Sequence, residues 1–159
     1  MFVYSVRAST LKFFAVICMC LIVLAAIVTL DSNTTVYASV NGESINYSGI
    51  KTNEDRIKFI EGFGIKVEEA PTEEEKFLLP KDFDRVILGY NELQKEQGLD
   101  LSKYQNKKVT HYQYKVTNYD YDGEVYVNLL VYRSKIIAAD ISSGDPNGFV
   151  LPITKAKCA

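Results

Sequence analysis

"HYQYKVTNYDYDGEVYVNLLVYRS", His111 to Ser134, decides the fold. Its apolar residues recur at every second position, the period of a strand whose side chains alternate between two faces. Val125, Val127, Leu129 and Val131 point one way, and Tyr126, Asn128, Leu130 and Tyr132 point the other. A four-residue loop, Tyr119 to Asp122, sets Asn118 opposite Gly123. It then pairs Val116 with Val125, Tyr114 with Val127, Tyr112 with Leu129 and Thr110 with Val131. The aliphatic residues of both strands then share one face with Tyr112 and Tyr114. A loop one residue shorter would send them to opposite faces, because a one-residue slip inverts a strand. Tyr112 and Tyr114 are therefore expected in the core, with their hydroxyls at its rim.

The other face sets Val109, His111, Gln113, Lys115 and Thr117 beside Tyr132, Leu130, Asn128, Tyr126 and Glu124. It is mixed, with two tyrosines and a leucine near its middle. Ile136 and Ile137, being adjacent, put an apolar side chain on each face whatever the length of the turn before them. The second face is thus only partly polar. Either an N-terminal hairpin covers it or it meets a partner.

That hairpin is read from "TTVYASVNGESINYSG", where Asn41-Gly42 supplies the two positive-φ positions of a tight turn and Ala38 faces Ile45. "TNEDRIKFIEGFG" reads as a short helix. Thr52 caps it, Glu54 and Asp55 suit the positive end of its dipole, and Gly62 or Gly64 ends it. "EEAPTEEEK" reads as a charged, Pro-broken loop with solvated carboxylates. "LPKDFDRVILGYNELQKEQG" gives a longer helix, capped by Asp82 and stopped at Gly98, with Phe83, Val86, Ile87, Tyr90 and Leu93 at helical spacing. Gly89 within it costs about 1 kcal/mol against alanine or marks close packing on the sheet. Three strands in a meander follow from Val109, and the end of the chain reads as a loose tail.

Before all of this, Met1 to Leu30 has no acidic residue, and Phe13 to Leu30 has no charge at all. Its length suits the roughly 20 residues that a helix needs to cross a membrane. Arg7 and Lys12 precede it and Asp31 follows, which puts the N-terminus in the cytoplasm. The run exceeds the apolar core of an ordinary signal peptide, so a retained anchor is expected; cleavage near Ala38, after "VYA", is the alternative. Cys18 and Cys20 follow Ile17 and Met19, not the small residue of a lipoprotein signal. Only Cys158 lies outside the span, so the exported part does not rely on an internal disulfide. Beyond Lys12 the chain carries 16 basic against 20 acidic residues and no basic cluster, which argues against nucleic acid as a partner.

Chemistry-bearing motifs are few. "NYDYDG" matches the opening of a calcium loop, with Asn118, Asp120 and Asp122 as candidate ligands. Position twelve is Leu129 where a bidentate glutamate belongs, a strand follows instead of a helix, and Glu124 is the nearest substitute. His111 is the sole histidine, on the second face, and Cys158 stands near the end without a partner histidine in view. Pairs such as Asp120/Asp122 or Glu68/Glu69 could serve acid–base chemistry, but no nucleophile elbow, metalloprotease helix, paired-cysteine motif or phosphate loop is present.

"TNEDRIKFIEGFGIKVEE", "PKDFDRVILGYNELQKEQGLDLSKYQNKKV" and "YQYKVTNYDYDGEVYVNLLVYRSKIIAADISS" resemble a bacterial family known as domain of unknown function 4830, from about Asn53 to Phe149. The resemblance implies a Gram-positive bacterial protein with an N-terminal membrane segment and assigns no activity or catalytic residue. This chain departs from the family pattern in its acidic Asp120-Tyr121-Asp122 loop and in Ser134, Ala138 and Ala139, where glycine is usual. A glycine at Ser134 implies a two-residue turn at Arg133-Ser134. The "SSGDPNGFVLPI" end departs as well.

The expected architecture is α+β: two helices packed on one face of a small antiparallel sheet, behind one transmembrane helix. Residues 1–12 form a cytoplasmic tail, 13–30 the anchor or signal, 31–50 a hairpin and linker, 51–150 the α+β domain and 151–159 the tail. The expected function is a non-enzymatic, membrane-tethered module outside the cytoplasm that binds an envelope protein or ligand and needs no cofactor. Its candidate surface is Tyr126, Asn128, Leu130 and Tyr132, with Tyr119 and Tyr121 at the loop tip. The alternatives are an extracytoplasmic hydrolase working through a carboxylate pair and a calcium-stabilised structural domain.

Overall fold

The strand alternation of His111–Ser134 is the centre of a five-stranded antiparallel sheet. The structure, a computed structural model, describes residues 37–40 and 43–158. The expected membrane span, residues 13–30, and the Asn41-Gly42 turn lie outside them. In chain order the elements are β1 (Tyr37–Val40), β2 (Glu43–Asn46), α1 (Asn53–Glu61), β3 (Glu73–Leu78), α2 (Arg85–Lys95), β4 (Lys108–Lys115), β5 (Val125–Tyr132), β6 (Lys135–Ser143) and β7 (Val150–Pro152). Single 3₁₀ turns occupy Leu101–Tyr104 and Ile153–Lys155. Strands β3 to β7 lie in sequence order, and β1 pairs with β2 alone, Ala38 opposite Ile45. The fold is α+β. Among the described residues, no helix is long and apolar enough to cross a membrane.

The register between β4 and β5 is the one that the alternation requires: Thr110 opposite Val131, Tyr112 opposite Leu129, Tyr114 opposite Val127. The Val116 N–H donates to the Val125 carbonyl at 2.8 Å, which carries the ladder to the loop. Tyr132 faces Lys135 across a two-residue turn at Arg133-Ser134. Both turn residues take positive φ, 50° and 122°. A register shift at Leu130/Val131 divides the adjacent isoleucines, Ile136 into one core and Ile137 into the other.

The first core lies on the Val125/Val127/Leu129 face, where Tyr47, Ile60, Ile65, Tyr114 and Ile141 are buried. Helix α1 supplies Ile60 and is fixed by a capping box: the Thr52 hydroxyl accepts from the Asp55 N–H, and the Asp55 carboxylate accepts from the Thr52 N–H. Arg56 lies buried between helix and sheet, its guanidinium 3.8 Å above the Tyr112 ring and its Nε donating to the Tyr114 hydroxyl. Tyr47 and Ile50, which the expected boundary assigned to a linker, are core residues, and they run beside the start of β6: the Ile136 N–H donates to the Tyr47 carbonyl and the Ile50 N–H to the Ser134 carbonyl.

Four expectations are corrected. The helices do not share a face: Phe83 and Tyr90, from the α2 region, join Leu79, Leu101 and Tyr104 over Val109, Leu130, Ile137 and Ala138 on the second face. The reason is that α1 and the Tyr47–Ile50 segment already occupy the first, while the second carries an apolar patch of its own. The described part of the N-terminal hairpin is not that cover, since its Ile45 packs on the first core. Second, half of the acidic loop is β3, an edge strand whose Glu73, Glu74 and Glu75 are solvent-exposed; charge on an edge keeps further strands away. Third, the tail is ordered into β7 and a 3₁₀ turn, with Ile153 wholly buried. Fourth, α2 is capped by Asp84, whose carboxylate accepts from the Ile87 N–H, so Asp82 and Phe83 precede the helix.

Candidate functional site

Beyond the apolar patch, the second face becomes polar along one row of the sheet. Gln113 of β4 pairs with Asn128 of β5, and Asn128 pairs with Asp140 of β6, so their side chains stand in line on the same side. Asn128 is the hub. Its Nδ2 donates to Asp140 Oδ2 at 2.8 Å and to Ser142 Oγ at 3.0 Å. Its Oδ1 accepts from Gln113 Nε2 and meets His111 Nε2, both at 3.2 Å. Both amide hydrogens and both lone pairs are therefore engaged. Because that oxygen can only accept, His111 carries its hydrogen on Nε2.

Tyr90 reaches this row from α2 and donates its hydroxyl to Asp140 Oδ1 at 2.5 Å. Asp140 is 3% exposed. Burial raises its carboxyl above the usual range, while the hydrogen bonds from Tyr90 and Asn128 and the proximity of His111 oppose the rise. Burial and the Asp140 charge likewise push the Tyr90 hydroxyl well above its ordinary value. Over the row opens a pocket of about 410 Å³, with Phe77, Leu130 and Val150 as apolar wall and Tyr90, His111, Asn128, Asp140 and Ser142 as polar lining.

Serine, histidine and aspartate all line this pocket, yet they do not form a nucleophilic triad. Each bonds to Asn128, and none is bonded to another. A triad needs base and nucleophile in direct hydrogen-bond reach.

The sequence-derived surface divides among three environments. Asn128 and Leu130 line the pocket, Leu130 at 8% exposure as part of the second core. Tyr126 lies at one end of β5, its hydroxyl donating to Glu124, which also bridges Lys115 at 2.6 Å. Tyr132 lies at the other end with its ring 5.5 Å from that of Tyr104. Tyr119 and Tyr121 pack against Phe149, at centroid distances of 5.4 and 5.3 Å, beside the first core. The six are therefore not one patch.

Asn118 is bound into the fold: its Oδ1 accepts from the Lys66 N–H at 2.7 Å and its Nδ2 donates to the Gly64 carbonyl at 2.9 Å. Asp120 and Asp122 are exposed, and among the described residues no three His, Cys, Asp or Glu side chains gather as a metal site. Burial raises the Cys158 thiol, the opposite of nucleophile activation.

Tyr90, Asp140 and Ser142 did not stand out in the sequence. Tyr90 reads as one member of a helical stripe, and Asp140 and Ser142 as polar positions in a third strand. The available signal was that "AADISS" alternates acid and hydroxyl on the face already carrying Asn128.

A family model described as domain of unknown function (DUF4830) matches residues 59–141. The chain belongs to that family. The match takes in β3 to β6 and both sides of the Tyr90–Asp140 contact, and the DUF4830 region thus contains the polar row entire. No curated protein and no solved structure matches the chain.

Proposed function

We propose that this DUF4830 protein is a non-enzymatic binding module, held outside the cytoplasm by residues 13–30, that engages its partner through the pocket on the second sheet face. The observation that carries the reading is the convergence of Tyr90, His111, Asn128 and Asp140 beneath an open pocket with an apolar wall. Recognition sites combine apolar walls with a few fixed polar groups in this way, at volumes of roughly 300–1,000 Å³. Tyr126 and Tyr132 flank the pocket along β5 and extend the surface that a partner would meet.

Hydrolysis through paired carboxylates would ask for a second acid near Asp140, and Asp140 is the one carboxyl among the pocket's lining residues. Calcium stabilisation would ask Asn118 to give up its bond from the Lys66 N–H. The tethering rests on the uncharged run between Lys12 and Asp31, with release by cleavage near Ala38 as its alternative.

The test is photo-crosslinking in cells that make the full chain. A benzophenone amino acid is placed at Val150, which is 49% exposed on the pocket rim, or at the exposed Lys58 of α1. A discrete crosslinked species from Val150, absent from Lys58, is expected. Equal capture from both positions, or none from Val150, would overturn the proposal.

A further inference from the structure

The pocket contains a buried acid without a cation. Asp140 lies 97% inside the fold, and a carboxylate offers about four acceptor positions. Tyr90 and Asn128 fill two of them. No lysine or arginine lines the pocket, and the salt bridges among the described residues engage other carboxylates. His111 is bonded to Asn128 rather than to the acid. A buried carboxylate without a counter-charge is unfavourable unless something arriving from outside supplies one.

The surroundings say what kind of group would arrive. Phe77, Leu130 and Val150 offer an apolar wall suited to an alkyl stem. Glu75 of β3 pairs with His111 and Glu73 with Gln113, so two exposed carboxylates border the same face and attract positive charge towards it. Each Asp140 oxygen already accepts one internal bond. A guanidinium fork wants both oxygens open in one plane, whereas an ammonium needs a single open lone pair.

We propose that the pocket receives a lysine side chain of a partner protein, its ammonium donating to Asp140 and its stem lying against Phe77, Leu130 and Val150. The inference rests on the binding reading above and names the chemistry of its anchor. Tyr90 from α2 and His111 from β4 are the titratable groups that face Asp140; β3 and β7 contribute Phe77 and Val150 there, which do not titrate. An ammonium binds the ionised acid, so affinity rises about tenfold per pH unit while free Asp140 is protonated and levels off above that.

The experiment uses the isotope-labelled full chain in non-ionic detergent, titrated with Nα-acetyl-lysine N-methylamide and with its Nε-acetylated counterpart. The Asn128 side-chain amide and the Asp140 carboxyl are followed by NMR. The charged compound is expected to bind at least about tenfold more tightly, and Asp140→Asn to abolish the difference. The wild-type comparison stands even where that variant does not fold. Equal binding of the two compounds, or no shift from either, would overturn the lysine inference. Tighter binding of pentylammonium than of the lysine compound would overturn the protein source in favour of a free amine. A discrete crosslink from Val150 combined with failure here leaves the binding module standing and removes only its lysine.

Discussion

Gln94→Met should destabilise the domain by about 1–2 kcal/mol, although it replaces a fully buried polar residue with an apolar one of similar length. Along the outer edge of β6, Tyr47–Ile50 pairs with its beginning and β7 with residues Asp140 to Ser142. Ala139 falls between the two, and α2 fills the gap with side chains. The Ala139 N–H donates to Gln94 Oε1 at 2.9 Å, and Gln97 Nε2 donates to the Ala139 carbonyl at 2.5 Å and to Gln94 Oε1 at 2.6 Å. Methionine keeps the volume and the helix propensity, so neither cavity nor helix term enters. What it removes is the acceptor, and an orphaned buried N–H costs roughly 1–3 kcal/mol. Part of that is returned, because Gln94 Nε2 is buried without a partner among the described residues and disappears with the substitution. Urea unfolding should show a lower midpoint at an unchanged slope, together with faster hydrogen exchange at the Ala139 amide. Adding Gln97→Met should cost less than its effect alone, since both side chains serve one peptide. A Gln94→Met protein as stable as the parent, with Ala139 equally protected, would refute the idea that these glutamines complete the sheet edge.

Other outcomes follow from single positions. Ser134 holds φ at 122°, a region that suits glycine, so Ser134→Gly should stabilise by about 1 kcal/mol in thermal unfolding. A Cβ on Gly89 would meet nothing within 4 Å, so of the two readings of that glycine it is the propensity cost that applies; Gly89→Ala should gain roughly 0.5–1 kcal/mol, read from the same melts. Burial pushes the Tyr47 hydroxyl up to about 12. Its contribution is therefore complete below the ordinary tyrosine value of about 10 and is lost as pH rises towards the folded value. Tyr47→Phe should accordingly reduce by one the protons released on alkaline unfolding, measured from the pH dependence of the urea midpoint between those limits.

The sheet's middle was legible because strand pairing repeats a period of two, and the aliphatic residues of His111–Ser134 tolerate one register only. The α1 cap was legible for a similarly local reason: Thr52 and Asp55 satisfy each other within four residues. Helix α2 was placed but its buried side was misjudged. Val86, in the apolar stripe, is 77% exposed, while Asn91 and Gln94 are buried. Hydropathy ranks side chains by their transfer from water and is blind to a distant backbone group that needs a partner. Asn91 accepts from the Leu101 N–H, and Gln94 and Gln97 serve Ala139. Strand β3 was hidden by the same limit, since an edge strand needs backbone pairing and little apolar surface. At the site, Asn128 and Leu130 were found from alternation alone. Tyr90 and Asp140 were not, because their contact joins residues 50 apart in sequence.

The most direct test of a recognition pocket built around a buried acid is a carbon-13 NMR titration of the Asp140 carboxyl in the full chain. Burial in the pocket floor predicts a midpoint above the ordinary aspartate value of about 3.9, with the Asn128 side-chain amide moving alongside it. With the folded value raised, the acid's contribution to stability is complete below the unfolded value and falls as pH rises through the folded one, and Asp140→Asn flattens that fall. A midpoint at or below the ordinary value, with Asn128 unmoved, would place the carboxyl in water and contradict the pocket described here.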